Sequence, residues 1–343
     1  MAKRAASPAT TKPAARAPRA RAGEQPPEER QRPVHHEGPV LFGQDQATAQ
    51  LAHAIRSGHM HHAWILHGPP GVGKCTAAME CARLLLDAEA TAAHVAAFKA
   101  PRDTRVAELI DVSSHPDLHV IRKERAEESS IKELRDRKQT NIPLDLLREL
   151  MIGGTVGDGK SFDSPVWRSA YLGHHKVFII DEAELLDADA QNAMLKTLEE
   201  PPPGTVIVLV TQHEDRLLPT IRSRCQRVAF GPLDAASMRE WWEREGPEVA
   251  AEDRAFVEAF AEGSPGMAAR AAGHGIAAWR RELWPLLEQL ESGEFPANLG
   301  ERLSEIAEQF AKGIVDADEN ASKDAANRQA VRLLARLLPS SLG

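Results

Sequence analysis

The run GPPGVGKCT, Gly68 to Thr76, carries the spacing glycine, four residues, glycine-lysine, which is that of a phosphate-binding loop. A strand that turns sharply into a helix at such a loop leaves free backbone N–H groups converging on phosphate oxygens, and Lys74 can reach the outer phosphates. Glycine at Gly68, Gly71 and Gly73 lets the chain take positive φ and lets a ligand come close. One position departs from the pattern. The residue after the lysine is Cys75, where a Ser or Thr hydroxyl would coordinate Mg²⁺, and a thiol is a soft donor poorly suited to a hard cation. Thr76 comes one residue too late to replace it without a shift of the helix start. These residues point to binding of ATP or ADP more than to its hydrolysis.

A second chemical stretch is KVFIIDEAELLDADAQNAMLKTLEEPPPGT. Val177 to Ile180 form a continuous apolar run, as a strand buried on both faces requires, and Asp181 and Glu182 emerge at its carboxyl end, where a doubly wound sheet places ligands. Following a P-loop, such a pair has a mechanical reason: Asp181 would hold Mg²⁺ when nucleotide is bound, and Glu182 would polarise the attacking water. Two solvated acids opening a helix would look similar, since carboxylates favour the positive end of a helix dipole. Further on, TVIVLVT ends on Thr211, and LLPTIRSRCQRVAF sets Arg222 and Arg224 around Ser223 and ahead of Cys225, before a last strand over Gln226 to Phe230.

The elements that must position these groups are legible around them. Ala63 to Leu66 form the strand before the P-loop, and Thr76 to Leu86 read as a helix after it. Leu51, Ala54 and Ile55 recur at helical spacing between a turn at Gly43 and a stop at Gly58. Asp187 or Asp189 caps a helix with Ala190, Met194, Leu195 and Leu198 on one side, which ends before Pro201 to Pro203. Residues 131–176 open with a charged helical stretch and IPLDLLRELM, then loosen into GGTVGDGKSFDSPVWRSAYLGHH, which reads as a mobile, surface-exposed insertion. No apolar strand precedes GGTVGDGK, so its glycines mark a loop rather than a second phosphate site. After Pro232 the chain is helical in character, through SMREWWEREG, RAFVEAFAEG and GSPGMAARAAG.

Composition narrows the partners. The chain has 343 residues, 42% of them apolar, and a net charge of -8, with a mean hydropathy of -0.37, enough for two or three domains with real cores. The charge argues against coating nucleic acid by bulk electrostatics. The longest apolar runs fall short of the roughly 18 to 20 residues of a membrane span, so no membrane partner is expected. Cys75, Cys81 and Cys225 are scattered, which suits a reducing, cytoplasmic setting and offers no CxxC zinc pair. His59, His61, His62 and His67 flank the first strand without an accompanying carboxylate and read as packing or capping groups. Residues 1–38 are rich in Ala, Pro and Arg, and the first 22 hold no acid; Pro8, Pro13 and Pro18 favour a disordered basic tail over an amphipathic transit peptide.

The ordered set of motifs, from His62-Ala63, strand and GPPGVGK to the Ser-Arg-Cys triplet, resembles the AAA+ subunits of the bacterial DNA polymerase III clamp loader. HPDLHVI, His115 to Ile121, resembles a segment of the delta-prime branch of that family, Arg148 occupies the arginine of its IPxDxxR helix, and LLDADAQNAMLKTLEEPP is also close to it. The resemblance covers residues 38 to 280 well and the rest weakly. It implies an α/β fold: an AAA+ P-loop doubly wound parallel sheet over 39–231, a small helical lid over 232–278, and a short, reduced helical collar over 279–343. It further implies that Thr211 senses the γ-phosphate and that Arg224 serves as an arginine finger on the nucleotide of a neighbouring subunit. The implied partners are gamma/tau and delta subunits in a hetero-pentamer, the sliding clamp, and primer-template DNA reached through the complex.

Two departures shape the expected role. Many family members carry a four-cysteine zinc module between the positions of Leu86 and His115, and this chain has no cysteine there, so zinc is not expected. ATP-hydrolysing members place an arginine after Gly-Ser-apolar in the lid, whereas Gly263-Ser264-Pro265 is followed by Gly266, with Arg270 a helical turn too late. Together with Cys75 this implies a stator-like subunit whose own ATPase is weak or absent. The alternatives are an autonomous ATPase of gamma/tau type, which Lys74, Asp181 and Glu182 keep open, and a scaffold that binds no nucleotide.

Overall fold

The computed structural model describes residues 40–58, 60–173, 175–317 and 321–337. The basic tail expected at 1–38 lies outside the described residues, as does His59. Five strands, β1 (Ala63–His67), β2 (Leu118–Ile121), β3 (Lys176–Ile180), β4 (Thr205–Thr211) and β5 (Gln226–Ala229), form one sheet in the order β2-β3-β4-β1-β5, and every neighbouring pair is parallel. The expected doubly wound parallel sheet is thus present, with the P-loop strand near its middle.

Alternation along the strands sends side chains into two cores. Trp64, Leu66, Val177, Ile179, Val206 and Val208 face one way, towards α1 (Asp45–Arg56) and α2 (Lys74–Leu86). Ile65, Phe178, Ile180, Ile207 and Leu209 face the other, towards Ala190, Met194 and Leu198 of α3 (Ala188–Glu199). Covered on both faces, β3 and β4 are buried at every residue, which is why their sequences are apolar runs rather than alternating ones. Asp187 is the cap of α3: its carboxylate accepts from the Ala190 N–H at 2.8 Å.

The stretch expected as a mobile exposed insertion is mostly exposed, as expected, and is pinned at a few buried points. Gly154–Thr155 pairs antiparallel with Ser161–Phe162, a tight turn follows at Pro165–Trp167, and Val156 and Val166 are buried. The Lys176 ammonium donates to the carbonyls of Pro165 at 2.7 Å, Val166 at 3.1 Å and Arg168. The HPD segment supplies the other fixing point. Asp117, 2% exposed, accepts from the N–H groups of Tyr171 and Leu172, both at 2.7 Å, while His115 Nδ1 accepts from the Asp117 N–H at 3.1 Å.

Beyond β5 come α4 (Ala235–Arg244), α5 (Ala251–Ala261) and α6 (Pro265–Gly273), then α7 (Ile276–Glu291), α8 (Leu299–Ala317) and α9 (Lys323–Ala335). The expected lid boundary at 278 falls inside α7. Phe310 of α8 packs edge-on against His274 and Trp279, with ring centroids 4.8 and 5.6 Å apart, so the last helices join the lid core. A smaller apolar cluster of Leu283, Leu287, Leu299, Ile306 and Leu334 holds α7, α8 and α9 together. Among the described residues no helix is long and apolar enough to cross a membrane.

Candidate nucleotide-binding site

Parallel register brings the carboxyl ends of β1, β3 and β4 to one edge of the sheet: His67 pairs with Thr211, and Ile180 with Leu209. The residues that follow each strand therefore meet where a doubly wound sheet binds ligands. A cavity of about 470 Å³ opens there. Gly71, Gly73, Lys74, Cys75, Thr76, Asp181, Glu182 and Thr211 all line it, so residues up to 140 positions apart in the chain come together as the motifs required. Leu41, Phe42, Trp241 and Ala269 give it an apolar wall of the kind that accepts a flat base.

The P-loop is held by contacts that only glycine permits. Gly68 has φ 141°, and a Cβ there would lie 2.0 Å from the Phe230 carbonyl oxygen. Gly73, at φ 102°, is the residue from which α2 begins. Gln44, 6% exposed, donates from Nε2 to the carbonyls of Val72 at 3.1 Å and Gly231 at 2.8 Å, fastening the loop to the segment after β5. The lid fastens it from above. Ser264 Oγ donates to the Pro70 carbonyl at 2.7 Å, and the Gly266 N–H donates to the Gly71 carbonyl at 2.9 Å.

Lys74 is 5% exposed and donates to the carbonyls of Gly68 at 2.7 Å and Pro69 at 2.5 Å. Burial brings its pKa down to about 8, against the opposing pull of the Glu184 and Asp181 carboxylates. Burial, together with the charge of Asp181 and a hydrogen bond to it, pushes the Cys75 thiol up to about 12. Cys75 is therefore a neutral thiol at neutral pH. An Mg²⁺ ion implied by the family would need a hard oxygen donor at this place, and the Cys75 and Asp181 pair does not fit it. Glu182 sits at φ 52° and its carboxylate is ion-paired with Lys123, which also pairs with Glu124 at 3.1 Å. The acid expected to polarise water is thus bound to a cation. Thr211 is 1% exposed, and its hydroxyl oxygen accepts from the His213 N–H at 3.0 Å.

Arg224 stands apart from this cavity. Its guanidinium donates to Glu199 at 2.6 Å and to the Thr220 carbonyl at 2.9 Å, in a shallow depression shared with His61, His62, Leu198, Ser223 and Gln226. No residue of that depression lines the P-loop cavity. Of the histidines around β1, a ring nitrogen of His62 bonds the Leu198 carbonyl at 3.0 Å and one of His61 bonds the Ala63 carbonyl at 2.9 Å, both packing roles. Arg148 pairs with Asp145 at 3.2 Å. Among the described residues no group of three or more His, Cys, Asp or Glu is placed to hold a metal ion.

Sequence reasoning missed one group lining the cavity and two that hold its residues from outside. Glu184 lines it and accepts from the Gln212 N–H at 3.3 Å; its signal was its place two residues after Glu182 in DEAE. Lys123 and Gln44 gave no local signal, because each meets its partner only through the fold.

A family whose description is DNA polymerase III, delta subunit, matches residues 43–234, more than half of the chain. Similar proteins include DNA polymerase III subunit delta' of Pseudomonas aeruginosa, 34% identical over 222 residues, which are 65% of this chain and 59% of that protein. The delta' subunit of Escherichia coli is 29% identical over 221 residues, 64% of this chain and 57% of that one. DNA polymerase III subunit gamma/tau of Mycobacterium tuberculosis is 32% identical over 208 residues, 58% of this chain but 29% of the relative. The matched segment thus spans less than two thirds of the length of each of these relatives. Among solved structures, a gamma-subunit-related protein of Thermotoga maritima aligns with 85% of this chain and 82% of its own, at 20% identity and a TM-score of 0.34.

Proposed function

This chain belongs to the family described as DNA polymerase III, delta subunit, and we propose that within it the chain serves as a delta-prime subunit of the clamp loader. In this reading it is a comparatively fixed member of a hetero-pentamer with gamma/tau and delta subunits, which opens the sliding clamp and places it on primed DNA. Its P-loop cavity binds ATP or ADP weakly or without turnover, and Thr211 is the residue nearest in role to a γ-phosphate sensor. Its catalytic contribution is Arg224, a permanently charged, planar guanidinium offered to ATP on the next subunit, where it stabilises charge developing on the γ-phosphate.

The observation that carries this reading is the separation of Arg224 from the chain's own P-loop cavity. An arginine finger that cannot face its own nucleotide can act only across a subunit boundary. Supporting it, Glu182 is held by Lys123, Cys75 replaces a hydroxyl, and Gly266 stands where hydrolysing members are expected to place arginine. The test is ATP turnover by the purified chain alone, then with gamma/tau, delta, clamp and primed DNA, with Arg224 intact and as Arg224→Ala. Silence alone with Arg224-dependent turnover in the mixture is expected; turnover in the mixture that ignores Arg224 overturns the finger.

A second reading is an autonomous ATPase of gamma/tau type. Lys74, Asp181 and Glu182 all line the cavity, and this placement favours it. Robust turnover by the chain alone, lost in Lys74→Ala, would establish that reading.

A further inference from the structure

We propose that the P-loop cavity takes its nucleotide as the metal-free form, so that ATP or ADP binds equally well with and without magnesium. The inference rests on the nucleotide-binding part of the function proposed above and goes beyond it by naming the form of the ligand.

The donor atoms carry the argument. In the first turn of α2 the residue after Lys74, which lines the cavity, carries a thiol; Thr76, which also lines it, stands one residue past the place of the expected magnesium-binding hydroxyl. Mg²⁺ demands near-octahedral oxygen ligation at short distances of about 2.0–2.1 Å and parts reluctantly with its water, so a sulfur donor is a poor ligand for it. The three acids at the cavity also have partners within the chain. Asp181 accepts from the Glu182 N–H at 3.0 Å, Glu182 is ion-paired with Lys123, and Glu184 accepts from Gln212 and faces the Lys74 charge. One oxygen, Glu184 Oε2, is buried without a donor, but a single carboxylate oxygen beside an ammonium does not make a divalent-cation site.

The positive charge that a cation would bring to the phosphates is built into the chain. Lys74 is the fixed cation of the cavity, its ammonium held by the carbonyls of Gly68 and Pro69. The amides at the start of α2 add the positive end of its dipole. Phosphate oxygens can therefore be met by N–H donors and the Lys74 ammonium, without magnesium.

The test is direct binding of fluorescent ADP and ATP analogues to the full chain, titrated in excess magnesium and again in excess EDTA. For the unaltered chain the two dissociation constants are expected to agree within about twofold, whereas Cys75→Ser and Cys75→Thr should bind roughly tenfold tighter with magnesium than without. Cys75→Ser is the near-isosteric variant, and a thermal melt matching the unaltered chain certifies its fold. Loss of binding by the unaltered chain in EDTA overturns the inference and leaves the nucleotide-binding reading standing. A magnesium preference of the same size in the unaltered chain and the serine variant also overturns it. Absence of binding under both conditions overturns the inference and the nucleotide-binding reading together, while the Arg224 role is decided separately by turnover of the assembled complex.

Discussion

Gly71 and Gly266 meet backbone to backbone. The Gly266 N–H donates to the Gly71 carbonyl at 2.9 Å, and a Cβ built on either glycine would lie 2.8 or 2.7 Å from the Cα of the other. Gly71 needs positive φ, at 73°, but Gly266 does not; its lack of a side chain is a matter of space alone. The lid therefore rests directly on the P-loop, with Ser264 Oγ bonded to the Pro70 carbonyl beside it. Gly266→Ala must push two backbones apart, which by the cost of overpacking is about 1–3 kcal/mol. A melting temperature lower by several degrees is expected, together with altered affinity for a fluorescent nucleotide. A melt identical to that of the unaltered chain would mean the lid contact is not rigid.

Arg224 should be dispensable for folding. Its guanidinium is about one-third exposed and its partner Glu199 about one-half, and an ion pair so placed contributes at most about 1 kcal/mol. Arg224→Ala is expected to leave the melting temperature within one or two degrees of the unaltered value, roughly what a surface pair costs. Turnover by the assembled complex should nevertheless fall. Glu199→Gln keeps the arginine and releases its hold, so turnover in that variant should be preserved. Parallel losses of stability and turnover in Arg224→Ala would instead assign the residue a structural role.

Asp117 is the anchor of the 153–175 segment. Its buried carboxylate accepts from two backbone amides, Tyr171 and Leu172, more than fifty residues away in sequence. Asp117→Ala leaves both amides without their acceptor, at about 1–3 kcal/mol for each group left unpaired. The local loop should open more often, so trypsin cleavage after the exposed Arg168 should accelerate at constant protease concentration. An unchanged cleavage rate would show that Lys176, through its bonds to the carbonyls of Pro165, Val166 and Arg168, holds the turn alone.

The parts of this molecule that were legible in the sequence are those encoded locally. β3 and β4 are buried on both faces and so wrote themselves as KVFII and TVIVLVT, and the P-loop glycines announced positive φ at fixed spacing. The convergence of Lys74, Asp181 and Thr211 followed from placing each at the carboxyl end of a parallel strand. What was not legible depends on long-range partners. Lys123 is 59 residues from Glu182, and Ser264 is 194 residues from Pro70; neither pairing leaves a trace in its own neighbourhood. The Gly- and Ser-rich stretch after Ile152 read as a loose insertion for the same reason. Its fixing points are Asp117 and Lys176, outside the stretch, and within it the buried side chains Val156 and Val166.

His119 gives the fold a measurable response to acid. Its ring stacks on Phe178 with centroids 4.5 Å apart and planes 8° from parallel, and burial, with the Lys176 charge as a lesser cause, brings its pKa down to about 4. The unfolded chain takes up this proton near the ordinary histidine value of about 6.5, the folded chain only near 4. Between those values the unfolded state binds more protons, so stability is fully present above about 6.5 and is lost progressively as pH falls towards 4. Burial shifts His62, His115 and His274 in the same direction, so the whole chain should lose stability across this window. His119→Phe keeps an aromatic ring on Phe178 and removes the titration. Its melting temperature should therefore change less than that of the unaltered chain between about pH 7 and about pH 5. If both proteins lost the same number of degrees over that range, the proton taken up on unfolding would have to come from the other buried histidines, and His119 would be solvated in the folded chain.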